Sequence, residues 1–520
     1  MKSLRWCARF LPSLLVFAFG SLTVAQSAQW NLAGRNIQNF WNQPNETTIN
    51  VSNVGTLVPL WTFTTGGDVS ATPTSNGSVV YFPDWAGNLY AVNATTGALI
   101  WSNLISAYDG MPGAVSRTSP AIYGNYLFIG DRPLTNVAHN GANIIAINRT
   151  TGKLIWKTQV DPHPAAVITG SPVVTGNVVY VGVSSIEESF TDSASYPCCT
   201  FRGSVVALNA TTGKIIWQTY TVPDNLGMTG GYSGGAVWQP PAIDTTNGVL
   251  YIGTGNNYSV PATVQECEAS GLADGTTPNC LAPNDYMDTA LALNLADGSV
   301  KWSASATLWD DFNSACFQTP PGFNCPTPTG TDIDMGGAGP NLVGATVIFP
   351  QKSGYVRAYN AATGASKWQT NVGPGGALGG VEWGIATDGT RVYVPITNSS
   401  HLSYKLISGQ TITWGAWSAL NEQTGKILWQ TADPVAGSRD ASSASVANGV
   451  LYVGSLDSAG HMYAINAATG AVLWSYASGG SVLDAPSIVN GVLYWGSGYR
   501  RYSGGTTGNN KVYAFALPQP

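Results

Sequence analysis

Residues 207–217 read ALNATTGKIIW, and the same phrase returns six more times. It stands as AVNATTGALIW at 91–101, AINRTTGKLIW at 146–156 and ALNLADGSVKW at 292–302. It then recurs as AYNAATGASKW at 358–368, ALNEQTGKILW at 419–429 and AINAATGAVLW at 464–474. Each copy opens on small and apolar residues that alternate up to Ala-x-Asn, the pattern of a half-buried strand. Thr-Gly or Asp-Gly follows and supplies the positive-φ residue of a tight hairpin. A second strand then ends on Trp. An indole at one fixed offset in every copy predicts a dock onto the neighbouring unit, because a large aromatic fills such a seam well. Successive Trp lie 45 to 85 residues apart, so the insertions belong to loops between strands.

Upstream of most copies stands another strand pair, as in SPVVTGNVVYVGV at 171–183, SVANGVLYVGS at 445–455 and SIVNGVLYWGS at 487–497. Four strands per unit with a repeated dock read as a β-propeller blade. A stacked solenoid is the alternative for a Trp-rich repeat, but the two ends of this chain complement each other. LVPLWTF at 57–63 carries a Trp strand without the Ala-x-Asn, and KVYAFALP at 511–518 carries the Ala strand without the Trp. Together they supply one more blade. The expectation is an all-β, eight-bladed propeller over 29–520, its ring closed by the N- and C-terminal strands.

Charged residues make up only 10% of the chain, against 61 Gly, 18 Trp and 23 Tyr. That balance excludes a disordered or coiled-coil chain. A net charge of −6, without a basic cluster beyond the first residues, excludes nucleic acid as a partner. Lys2, Arg5 and Arg9 precede an apolar run from Phe10 to Phe19 and small residues around Ala25 and Ala28. This is a secretory signal over 1–28, cleaved near 25 or 28, and it predicts a periplasmic or secreted protein. The apolar run is short for a membrane span, and no later stretch could cross a bilayer. Six cysteines follow the signal. In an oxidising compartment, Cys267–Cys280 and Cys316–Cys325 are placed to staple local loops. Cys198 and Cys199 are adjacent and form either a vicinal bridge or two free thiols. There is no CxxCH for a covalent haem, and the four histidines lack the spacing of a zinc site.

The repeated phrase resembles the tryptophan-docking motif of the quinoprotein alcohol dehydrogenases, which bind pyrroloquinoline quinone (PQQ) and calcium. YPCCTFRGSVVALN at 196–209, YIGTGNNYSVP at 251–261, GPGGALGGVEWG at 373–384 and GSGY at 496–499 are similar to the polyvinyl alcohol branch of that family. The resemblance spans nearly the whole chain after the signal. It implies an alcohol dehydrogenase that moves hydride from an alcohol, polymeric or otherwise secondary, to the quinone. Electrons would then pass to a separate cytochrome c. Because non-enzymatic assembly scaffolds carry the same repeat, a binding propeller is the competing reading, and a dehydrogenase of sugars or small primary alcohols a third.

The same resemblance implies the site. Glu187 in VGVSSIEESF matches the metal-ligating glutamate and Ser184 a cofactor-contacting serine. Thr169, eighteen residues before Glu187, is a further hydroxyl contact. Asn256 in IGTGNNY matches the metal-binding asparagine, and Trp238 the indole on which the quinone stacks. Asp310 in ATLWDDFNSACF stands for the catalytic aspartate, which acts as general base beside the metal. Oxygen ligands from Glu187, Asn256 and Asp310 suit calcium. Lanthanide-using members carry a further carboxylate two residues after that aspartate, where this chain has Phe312. Lys352 matches the cation that bonds the quinone oxygens, Arg117 the partner of a PQQ carboxylate, and Trp383 lines the cofactor. Glu382, where the family often has Asn, receives no role. The vicinal cysteines also depart from the methanol dehydrogenases, which place such a pair just before the arginine.

Overall fold

The computed structural model describes Met1 and residues 28–276, 279–502 and 505–518, so the expected signal segment falls almost wholly outside it. Eight antiparallel sheets follow one another around an axis. Their innermost strands begin at residues 74, 121, 173, 242, 341, 386, 444 and 487, and the blades are numbered 1 to 8 in that order. In blade 3 the order outward runs Val173–Thr175, Val178–Ser185, Ser204–Asn209 and Ile215–Tyr220. Blade 8 takes its three inner strands from the C-terminus and its outermost, Val58–Thr64, from the N-terminus. Trp61 pairs there with Ala514 and closes the ring, as the split phrase predicts.

The chemistry of the phrase explains its repetition. Asn209 turns the chain by accepting bonds from the backbone N–H groups of Thr211 and Thr212 at 3.0 and 2.9 Å. Gly213 then adopts φ +73°, and a Cβ there would lie 2.7 Å from the ring of Trp156 in the preceding blade. The glycine therefore serves both the turn and the dock. Trp156 donates Nε1–H to the Ala210 carbonyl at 3.0 Å. The same bond recurs around the ring: Trp61 to Ala94, Trp101 to Arg149, Trp217 to Leu295 and Trp302 to Ala361. Trp368 bonds Glu422, Trp429 bonds Ala467, and Trp474 closes the circle on Leu57. Each seam thus receives one large apolar ring with its polar atom satisfied.

A second device was not foreseen. Residues 30–43 have no period, yet they run across the inner ends of the blades. Trp30 exchanges bonds with Ser75, and the carbonyls of Asn31, Ile37, Gln38, Phe40 and Trp41 accept from Ile122, Ile243, Leu342, Thr387 and Val446. Gln43 Nε2 completes the sequence on the Ile488 carbonyl at 2.9 Å. One end of the axial channel is thereby plugged, and the blade loops at the other end carry the insertions. Disulfides join Cys267–Cys280, Cys316–Cys325 and the adjacent Cys198–Cys199, resolving the two alternatives for that pair. Among the described residues, no helix is long and apolar enough to cross a membrane.

Candidate active site

Strand register places the site. The inner-strand residues Ala121, Val173 and Ala242 pair with Phe128, Tyr180 and Tyr251 of the second strand. Four residues before each inner-strand residue stand Arg117, Thr169 and Trp238. Four residues beyond each partner stand Arg132, Ser184 and Gly255, the last beside Asn256. In blade 5, Asn341 pairs with Ile348, and the same count reaches Lys352. These are equivalent places on successive blades, and all but Gly255 line one axial cavity of about 210 Å³. A smaller space of about 50 Å³ adjoins it, shares Arg117 and Thr169, and is lined by Trp383. Seven expected site residues, Arg117, Thr169, Ser184, Trp238, Asn256, Lys352 and Trp383, are therefore brought together.

Two are not. Glu187 is fully buried and turned away from the cavity. Tyr196 Oη and the Thr200 N–H donate to its Oε1, and the Phe201 N–H to Oε2, each at 2.8 Å. It anchors the loop that carries Cys198 and Cys199. Its neighbour Glu188 faces the cavity instead, since adjacent helical residues point about 100° apart. Asp310 is also fully buried, with Oδ1 accepting from Thr331 and Asp332 at 2.7 and 2.9 Å and Oδ2 from Ile333 at 2.7 Å. Three backbone donors leave this carboxylate as the brace of the next loop. That loop, TGTDIDMGG at 329–337, delivers Asp332 and Asp334 to the site. Lys352 Nζ lies 2.8 Å from Asp332 Oδ1 and 2.8 Å from Asp334 Oδ2, and Asp334 lines the cavity. An Asp-x-Asp spacing just before an inner strand was the available signal.

The walls are aromatic and the charges opposed. Trp238 and Trp383 meet edge to face with centroids 5.2 Å apart. Arg117 Cζ lies 4.2 Å over Trp383, and Lys352 Nζ 5.3 Å over Trp238. Burial alone would lower the Lys352 ammonium, but Asp332 and Asp334 outweigh it and hold it well above its usual range. Burial pushes the Glu188 carboxyl up to about 7 against the pull of Lys352. Burial, with Arg117 nearby, brings the Arg132 guanidinium down to about 10. Glu382, at the place in blade 6 equivalent to Arg117, accepts from Tyr502 Oη at 3.2 and 3.1 Å, and burial pushes its carboxyl up to about 7.

The blades match a family model described as outer membrane protein assembly factor BamB over residues 55–195, 202–383 and 415–515. Polyvinylalcohol dehydrogenases from Sphingopyxis sp. (strain 113P3) and Pseudomonas sp are each 30% identical, over 91% of this chain and 72% and 73% of their own lengths. The chain belongs to the quinoprotein alcohol dehydrogenases. It is thus an oxidoreductase of a family that oxidises alcohols with PQQ. The quinohemoprotein alcohol dehydrogenase of Comamonas testosteroni shares the fold, with a TM-score of 0.69 at 19% identity over 95% of this chain and 81% of that one.

The residues present fit such a cofactor. A flat tricarboxylate needs stacking surface and cations; the cavity offers Trp238 with Arg117, Arg132 and Lys352, and the adjoining space adds Trp383. A metal fits through oxygen donors. Asn256 Nδ2 is held by the carbonyls of Phe312 and Asn257 at 2.7 and 3.0 Å, which leaves its oxygen for the cavity beside Glu188 and Asp334. Among the described residues no three acidic, histidine or cysteine side chains already stand close enough to hold an ion. The donor set is therefore two carboxylates and an amide.

Proposed function

We propose that this protein is an exported, PQQ-dependent dehydrogenase of secondary alcohols, polymeric ones included, working with a hard cation of the calcium class. One observation carries the reading: an axial cavity and the smaller space adjoining it gather three cations, three oxygen donors for a metal and two indole walls from blades 2 to 6. When bound, PQQ supplies the two-electron acceptor for the carbinol hydrogen. Arg117 and Arg132 hold its carboxylates by charge-assisted bonds, and Trp238 is the stacking face. Glu188, Asn256 and Asp334 supply the metal's oxygens. The Asp332–Asp334 pair replaces Asp310 as the base that takes the hydroxyl proton, with Lys352 poised to stabilise the charge that develops. The substrate class rests on the two polyvinylalcohol dehydrogenase relatives. Export rests on the signal pattern over 1–28. A separate cytochrome c accepts the electrons, in keeping with the lack of a CxxCH.

All-oxygen donors suit Ca²⁺, and a hard trivalent lanthanide would accept the same donors. The test is reconstitution of apoprotein with PQQ and either Ca²⁺ or La³⁺, followed by dye reduction with polyvinyl alcohol, short secondary alcohols and glucose. Turnover of secondary alcohols is the expected result. Activity confined to glucose or primary alcohols would reassign the substrate, and none with any alcohol would favour the scaffold reading.

A further inference from the structure

The insertion between the second and third strands of blade 4 contains the helix Ala262–Asp274 and the Cys267–Cys280 bridge. Glu268 on that helix is 1% exposed, and Asp311 and Asn257 are fully buried. Asn257 and Asp311 are partners in a parallel β-bridge, with Asn257 N–H donating to the Asp310 carbonyl at 3.1 Å and Phe312 N–H to the Asn257 carbonyl at 2.8 Å. Bridge partners project their side chains to the same face. The Glu268 and Asp311 carboxyls touch each other, yet no N–H group reaches any of their four oxygens. Asn257 Nδ2 is fixed by Asp285 Oδ2 at 2.9 Å, so its Oδ1, also without a donor, is held in place. Glu268, Asp285 and Asp311 form no ion pair with lysine, arginine or histidine among the described residues.

Buried carboxylates are ordinarily paired or metal-bound, and an orphaned buried acceptor calls for a missing positive partner. A proton shared between Glu268 and Asp311 would answer for two carboxyls but not for the unpartnered amide oxygen of Asn257, the bridge partner of Asp311. We propose that Glu268, Asp311 and Asn257 Oδ1 bind a divalent cation of the Ca²⁺ class at a structural site apart from the active-site cavity. Its effect is to tie the insertion helix to the strand leaving Asp310, and so to steady the neighbours Asn256 and Asp310. Burial pushes Glu268 and Asp285 up to about 7, with Glu268 adding to the shift at Asp285, which agrees with acids lacking a compensating charge.

Chelator-treated apoprotein, free of PQQ, is titrated with Ca²⁺ by calorimetry, and the melting midpoint is followed in parallel. Wild type should bind one more equivalent than Glu268→Gln/Asp311→Asn and show a larger midpoint rise. Asp334→Asn should keep this ion and lose the active-site one. Equal stoichiometry and midpoint rise in wild type and the double variant would overturn the proposal in favour of a shared proton. Should the double variant not fold, hydrogen exchange of 262–274 in Asp334→Asn decides: Ca²⁺ should slow it, and unchanged exchange would overturn the site. Wild-type protein that binds this ion yet shows no PQQ-dependent turnover would count against the active-site reading alone.

Discussion

The rim and the axis of this propeller are built from the same repeat and treat it in opposite ways. At the rim every blade presents an indole to a backbone carbonyl of its neighbour, seven times at the same place in the phrase and once, at the ring closure, on Leu57. At the axis the equivalent strand-end places hold Arg117, Thr169, Trp238 and Glu382 on blades 2, 3, 4 and 6. The rim needs identity because each seam poses the same packing problem. The axis needs difference because a single ligand in its centre shows a different chemical edge to every blade. The N-terminal plug across the inner strands shuts one end of the channel, so that diversity serves one chamber with one mouth.

The sharpest way to break this contrast is at the acid pair. Asp334→Asn should lower turnover by ~10²–10⁴-fold per folded molecule, as expected for loss of a base or ligand, with Asp332 still pairing Lys352. Asp310→Asn should instead lower the midpoint, since its oxygens receive three backbone donors. Turnover lost in Asp310→Asn at an unchanged midpoint, with Asp334→Asn active, would restore the earlier assignment. At the rim, Trp302→Ala should cost ~3–5 kcal/mol of stability, read by denaturant unfolding, and leave turnover per folded molecule intact. A smaller contrast separates neighbours. Glu188→Gln should weaken cation binding at least ~10-fold by calorimetry, whereas Glu187→Gln should cost about 1–3 kcal/mol of stability with cation affinity retained.

The pH response is the mildest. Because burial pushes Glu188 up to about 7, protons compete with the metal below that pH, and cation affinity should rise as pH climbs through it. In apoprotein the folded state holds this proton more tightly than the unfolded chain. The contribution of Glu188 to stability therefore falls as pH rises from the ordinary carboxylate range towards 7. Glu188→Gln should flatten both profiles; a slope that survives would assign it to another group.

What could be read beforehand follows from the same contrast. Asn, Gly and Trp at fixed offsets carry a turn, a close approach and a dock, so the ring was legible to the count of blades. Arg117, Thr169, Ser184, Trp238 and Lys352 came from the family resemblance, and the strand pairing of the structure accounts for why these strand-end places meet at one cavity. Arg132 obeys the same count and was overlooked. Glu187 opens a one-turn helix and Asp310 lies in a loop, so no strand ladder sets their register and one residue decides whether a carboxylate meets the cavity or the backbone. In EE at 187–188 the second carboxylate is the one that faces inward, and in DD at 310–311 neither does. The plug at 30–43 has no period at all, and its role emerges only from the bonds it makes.

The most direct test of the axial chamber is equilibrium PQQ binding to apoprotein, read by quenching of indole fluorescence, in Arg117→Leu and Arg202→Leu. Arg202 pairs with Asp224 at 3.1 Å outside the cavity. Arg117→Leu should weaken binding at least ~10-fold, as removal of a charge-assisted partner does, and Arg202→Leu should bind as wild type does. Equal affinity in wild type and Arg117→Leu would place the cofactor elsewhere and contradict the account.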